Sequence, residues 1–283
     1  MRRELMDCHV HLDEIVIHDW SAARNLKTEA DQVRWKGVSI NHHVRHIEKD
    51  NLDQIFAIYE NPESILKLRD AAPNCDIKAM YFVRDVAGVN ENLLADLFKN
   101  NLLNALKVHP VVDNFELTSE NLQTVLGVAR KFRLPILYHS DDRRSSMHLT
   151  SPELQKRLVT ENSDILFIIG HGGAYAHPRL CGNNLQVESY WNGPHSRKDL
   201  INKALELAAE QENVYYDLSV ATNVIKASLI AKFLNRQRDA SEKILVGTDF
   251  PIKFSSAQTQ LWSLENAGLK KSLVEKISSN RLI

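Results

Sequence analysis

Apolar residues in this chain gather into eight short runs, each followed, after a connection of varying length, by a polar-apolar stretch with helical spacing. The first run is Leu5-Met6 with DCHVHL behind it, and the others are LDQIFAIY (52–59), DIKAMYFVR (76–84), NALKVHP (104–110), LPILYHS (134–140), ILFIIGHGG (165–173), NVYYDLS (213–219) and KILVGTDFP (243–251). Helices are predicted over 41–50, from Pro62 through Leu68, over 92–99, 121–132, 151–160, 198–211 and 224–235, and as one closing helix over 260–277. Most runs are apolar throughout rather than alternating, as strands buried on both faces are. Eight strand-helix units in 283 residues predict an α/β single domain, 1–283, folded as a (β/α)8 TIM barrel. An open doubly wound sheet is the alternative, and no Gly-x-Gly-x-x-Gly follows a strand to support it.

Composition leaves that picture unchanged and narrows the partners. Apolar residues make up 43% and charged residues 25%, ordinary values for a globular chain. With 35 basic and 36 acidic residues, no global field recruits nucleic acid or an anionic membrane. Met1-Arg2-Arg3-Glu4 leads into the first strand without a leader's apolar segment, and no run is long enough to span a membrane. A cytoplasmic protein with a small-molecule substrate, no nucleic acid and no membrane partner is expected; homo-oligomerisation is compatible with the sequence and undecided by it. Cys8, Cys75 and Cys181 are too few and too scattered for a disulfide framework or a thiolate zinc site.

Candidate chemistry enters through the strand ends. Strand alternation turns His9 and His11 to one face, where two imidazoles can share a divalent ion, and turns Cys8 to the other as a packing residue. In a barrel the active site lies at the C-terminal ends of the strands. Lys107 and His109 end strand 4, His139 strand 5, His171 strand 6 and Asp249 strand 8. Singly, each has a structural reading: a capping histidine, a turn residue beside Gly172, a helix N-cap. Jointly they point to a metal site at the barrel mouth, since Tyr59, Arg84 and Ser219 at other strand ends show no such concentration. A second cluster, His42, His43 and His46, lies on a polar helical stretch and reads as solvated.

DCHVHLD, ALKVHP, PILYHSD, IIGHGGA and VGTDFP, in this order, resemble the amidohydrolase superfamily, and most closely its amidohydrolase-related branch of metal-dependent TIM-barrel hydrolases. The closing SSNRLI is similar to the Asn-x-x-Arg-Leu ending of that branch. The resemblance implies that His9, His11, His139 and Asp249 hold a divalent metal, zinc first, with manganese, iron or nickel as alternatives, and one or two ions. It implies that Asp249 also handles the proton of the attacking water. His171 would ligate a second metal or polarise substrate, and Lys107 would act as a free cation or as a carboxylated bridge between two ions.

The substrate pocket is less legible. Residues 13–40, with Trp20 and Trp35, and 174–197, with Tyr175 and Arg179, have the length and composition of lids, and His109, Arg143 and Arg144 are candidate substrate contacts. The function expected is hydrolysis of a small amide, cyclic amide, lactone or ester. Non-oxidative decarboxylation of a small aromatic or unsaturated acid is the alternative within the resemblance, and a catalytically silent binding barrel the alternative outside it.

Overall fold

The computed structural model describes residues 5–13, 38–140, 147–174, 196–252 and 255–282. Among them eight parallel strands follow one another around a single sheet in chain order: β1 (Met6–His11), β2 (Gln54–Tyr59), β3 (Asp76–Val83), β4 (Ala105–Val108), β5 (Ile136–His139), β6 (Phe167–Gly170), β7 (Val214–Asp217) and β8 (Ile244–Leu245). The ring closes between its last and first members. Cys8 N–H donates to Val246 O at 2.8 Å, Asp249 N–H to His9 O at 2.8 Å and His11 N–H to Phe250 O at 2.7 Å. The chain is a (β/α)8 barrel.

The helices are α1 (Ile40–Asp50), α2 (Pro62–Ala71), α3 (Glu91–Lys99), α4 (Gln123–Phe132), α5 (Pro152–Glu161), α6 (Arg197–Glu210), α7 (Val224–Arg236), α8 (Ala257–Asn266) and α9 (Lys271–Ser279). Their starts follow local chemistry. Asn61, Asn90, Ser151, Ser196, Asn223 and Ser256 each accept from a first-turn N–H, and Pro62 and Pro152 open α2 and α5 with φ already set. None of the described helices is long and apolar enough to cross a membrane.

Strand alternation divides the interior into two layers. Phe56, Ile58, Met80, Phe82, Leu137 and Ile168 fill the barrel, while Ile55, Ala57, Ala79, Val83, Ile136 and Ile169 face the helices. The floor is closed by the end of the chain. Asn280 donates to Ser241 O and Ile244 O beneath β8, and Leu282 joins the inner cluster.

Three expectations are corrected here. The closing helix over 260–277 is two helices, α8 and α9, broken at Gly268: its φ of +90° is open to glycine, and its N–H and that of Leu269 satisfy the last carbonyls of α8. The eighth run forms only a two-residue strand; beyond it the chain keeps single bonds to β1 at Val246, Asp249 and Phe250, and the backbone turns to a φ of 60° at Asp249. Cys8 does not face away from the histidines. The β1–β2 register slips between Asp7 and Val10, where three steps on β1 match two on β2, so Cys8 packs inside the barrel with its Sγ 3.7 Å from Asp217 Oδ1.

Candidate metal centre

The bulge in β1 brings both histidines to the barrel mouth. His9 Nε2 lies 3.2 Å from His11 Nε2, and Asp249 Oδ1 lies 3.6 Å from the first and 3.3 Å from the second. All three residues are buried. Donors about 2.1 Å from a shared tetrahedral ion stand about 3.4 Å apart, so this triangle fits one divalent ion. Burial, then the neighbouring His9 and Lys107, holds His11 well below the ordinary histidine range, so its ring offers a lone pair rather than a proton.

Hydrogen bonds fix which nitrogen faces the mouth. His9 Nδ1 is 2.7 Å from Asp217 Oδ2. Burial opposes charge on Asp217, but His9 and the hydrogen bonds from His9, Ser219 and the His171 N–H overcome it and hold the carboxyl well below its usual range. His9 therefore donates from Nδ1 and carries its lone pair on Nε2. The Ser219 hydroxyl donates to Asp217 Oδ2 at 2.6 Å, so in its 2.8 Å contact with His171 Nδ1 it accepts. His171 thus also carries its lone pair on Nε2. Burial, then His139 and His9, lowers its basicity well below normal. His109 is the opposite case: Val112 N–H donates to its Nδ1 at 3.2 Å, which leaves Nε2 as the N–H.

The five mouth histidines form a chain of rings. His11 and His9 centroids are 5.1 Å apart, His9 and His171 4.9 Å, His171 and His139 4.7 Å, and His139 stacks on His109 at 3.8 Å. Lys107 is buried beneath them, opposite Phe82, and Nζ has no hydrogen-bond partner among the described residues. Burial lowers its pKa to about 8, against the pull of Asp249 and Asp217. Arg143, Arg144, Tyr175 and Arg179, like Trp20, Trp35 and Cys181, lie outside the described residues.

Two residues that matter here carry no motif in the sequence. Asp217 is the hub that sets His9 and His171. Its fit is tight: a Cβ on Gly247 would land inside contact distance of Asp217 Oδ1. Lys226, wholly buried, ties the turn after β6 through Nζ bonds to His171 O at 2.6 Å and Ser219 O at 2.9 Å. Backbone strain is a further sign, since His171 and Asp249 have φ of 57° and 60° and β-branched Val220 has 67°.

The α1 histidines require a correction. His42 is exposed, but His43 and His46 are buried. His46 Nε2 meets Asp7 Oδ2 at 2.9 Å and stacks on Phe250, while Asp7 also accepts from Thr248 Oγ1 at 2.5 Å, so α1 is bolted to β1 and to the segment after β8. The helix face that carries them turns inward because it packs over this joint. His43 has no hydrogen-bond partner among the described residues, and burial, then His46 and His42, lowers its pKa to about 4. With the folded value below the unfolded one, its contribution is full above pH about 6.5 and is lost as pH falls toward 4. Urea unfolding should lose about 3 kcal/mol from this residue between pH 7 and pH 4, and His43→Leu should remove that part of the acid limb.

No protein-family model matches the chain, and no curated protein matches it in sequence. Solved structures do match. A probable 2-pyrone-4,6-dicarboxylic acid hydrolase from Acinetobacter baumannii, with citric acid bound, aligns over 97% of this chain and 96% of its own at 13% identity and a TM-score of 0.62. The chain shares its barrel fold. An amidohydrolase from Burkholderia multivorans with bound zinc aligns over 97% and 96% at 11% identity, with a TM-score of 0.59. A 5-carboxyvanillate decarboxylase from Novosphingobium aromaticivorans, complexed with manganese and 4-hydroxy-3-methoxy-5-nitrobenzoic acid, aligns over 98% and 94% at 10% identity, with a TM-score of 0.61. At these identities the likeness is one of fold.

Proposed function

We propose that the chain is a metal-dependent hydrolase of the amidohydrolase superfamily, acting on a small amide, cyclic amide, lactone or ester. The observation that carries the reading is the buried triangle of His9 Nε2, His11 Nε2 and Asp249 Oδ1, with mutual distances of 3.2–3.6 Å. The fold shared with a pyrone dicarboxylate hydrolase and a zinc-bound amidohydrolase supports it.

His9, His11 and Asp249 would hold the ion; His139 is not part of that group and stands against His171 and His109, with ring centroids 4.7 and 3.8 Å away. Zinc is the first choice for this imidazole-rich set, and manganese, present in the decarboxylase neighbour, the second. One ion is favoured over two. A second group of residues, His9, His171 and Asp217, also converges, but Asp217 Oδ2 already takes bonds from His9, Ser219 and the His171 N–H.

When bound, the ion supplies Lewis acidity to a water molecule and to the substrate carbonyl. Asp249 takes the proton of the attacking water and returns it to the leaving group. His171, its lone pair on Nε2, accepts a hydrogen bond at the reacting centre. His109, with its proton on Nε2, donates to a substrate oxygen. Lys107 adds positive charge under the mouth; carboxylated, it would be a ligand instead, and its pKa of about 8 leaves some neutral amine for that modification.

A decarboxylase using the same ion is the second reading, favoured by the manganese-bound neighbour of that activity. Metal content after purification without chelator tests the shared premise. About one equivalent is expected, falling below about 0.1 in His9→Ala. A metal-free parent that takes up neither zinc nor manganese would overturn both readings. Release of acid or amine without carbon dioxide across a substrate panel then separates hydrolysis from decarboxylation.

A further inference from the structure

The strand ends with obvious chemistry leave out β3, whose next residue is Arg84. Alternation along β3 puts Phe82 inside the barrel and Val83 outside, so Arg84 returns to the inner face at the mouth. The register sets its level. Phe82 lies opposite Lys107, so two residues further on Arg84 stands level with His109, in the layer that holds the five histidines.

Its guanidinium is held in place. It lies over the Phe82 ring, 4.3 Å from the centroid, and that ring is itself 6.4 Å from the ring of His109. Nε and one terminal nitrogen both contact the same oxygen, Glu60 Oε1, at 2.9 and 2.8 Å. The other terminal nitrogen has no hydrogen bond among the described residues. With 26% of its side chain exposed, Arg84 is open to solvent at the rim while stacked on the aromatic wall.

We infer that Arg84 forms a carboxylate subsite, so that the substrate is a small molecule with an anionic carboxylate remote from the group that reacts at His9, His11 and Asp249. This rests on the hydrolase reading for the reacting end and on Arg84 alone for the remote end. A planar guanidinium clamped along one edge presents its remaining donors in fixed directions, which suits a carboxylate better than a neutral oxygen. Arg84 acts here as a specificity residue and takes no part in the bond cleavage.

The test measures binding to zinc-loaded protein by calorimetry, using malonate, succinate, glutarate and adipate, each beside the monocarboxylate of the same chain length. One carboxylate of each diacid can meet the ion and the other Arg84. At least one diacid is expected to bind about tenfold more tightly than its monoacid, a preference that drops to about twofold or less in Arg84→Gln with monoacid affinity unchanged. Arg84→Lys should keep part of the preference, which separates lost charge from lost structure. Equal binding of diacid and monoacid by the parent, or an undiminished preference in Arg84→Gln, would overturn the subsite, as would failure of both series to bind. If zinc is not taken up yet diacids still bind through Arg84, the hydrolase reading fails and the subsite stands.

Discussion

Asp249→Asn is expected to lower kcat by about 10²–10⁴-fold at full metal occupancy, the range spanned by loss of a general base. The substitution is unusually clean at this position. Asp249 has a φ of 60°, a left-handed backbone that asparagine tolerates at least as well as aspartate, so the loop after β8 keeps its path. Its N–H to His9 O bond is unaffected, and the amide oxygen remains as a weak donor to an ion. What disappears is the negative charge and the site that accepts a proton. Turnover and bound metal should therefore be measured on the same preparation. A large fall in kcat with bound metal retained assigns the proton to Asp249. Undiminished kcat would move the base to His171, whose Nε2 lone pair is the other acceptor in the layer.

The barrel was legible because its evidence is repetitive. Eight apolar runs at strand length with helical spacing between them leave little freedom, and each run falls on a strand. The mouth residues were legible for a related reason: in a parallel barrel every strand ends at the same rim, so a chemical residue at the last strand position is placed by topology alone. Of His9, His11, His171 and Asp249, only His11 ends its strand strictly, and His171 follows β6 by one residue; Asp249 lies four residues beyond β8 and comes to His9 and His11 because the chain after β8 keeps bonding to β1.

What escaped the sequence depends on packing between distant segments. Asp217 has no motif, and its role exists only because β7 and the turn after β6 converge on His9, 208 residues earlier. His43 and His46 look like surface residues on a polar helix, and only the docking of α1 against Asp7 and Phe250 buries them. Strict alternation turns Cys8 to the wrong face, because a single extra residue in β1 defeats it. Arg84 reads in sequence as an ordinary charged strand end. Its place beside His109 follows from the β3–β4 register, which cannot be read from either strand alone.

Asp217→Asn should be the most damaging single change away from the metal donors themselves. Oδ2 receives three hydrogen bonds, from His9 Nδ1 at 2.7 Å, His171 N–H at 3.0 Å and the Ser219 hydroxyl at 2.6 Å, while Oδ1 receives the Ser219 N–H at 2.8 Å. An asparagine has to point its NH2 at one of these donor sets, whichever way its amide is turned. If the NH2 faces His9, that ring loses its acceptor and its Nε2 lone pair is no longer enforced. If the NH2 takes the Oδ1 place, the Ser219 N–H is left buried without an acceptor. Either arrangement also removes the negative charge that the buried network is built around. We expect a stability loss of about 3 kcal/mol by urea unfolding of metal-free protein, from the broken buried charge network. Zinc affinity should fall about 10–100-fold, as when a partner that orients a ligating histidine is removed. The carboxyl is held below its ordinary range, so its stabilisation is present at pH about 4 and above and is lost at lower pH. The variant should therefore resemble the parent most closely in strong acid. Zinc titration at pH 7 decides the functional half of the argument: a stable variant with undiminished affinity would mean that His9 presents Nε2 without Asp217, and the carboxylate would then be a packing element of β7.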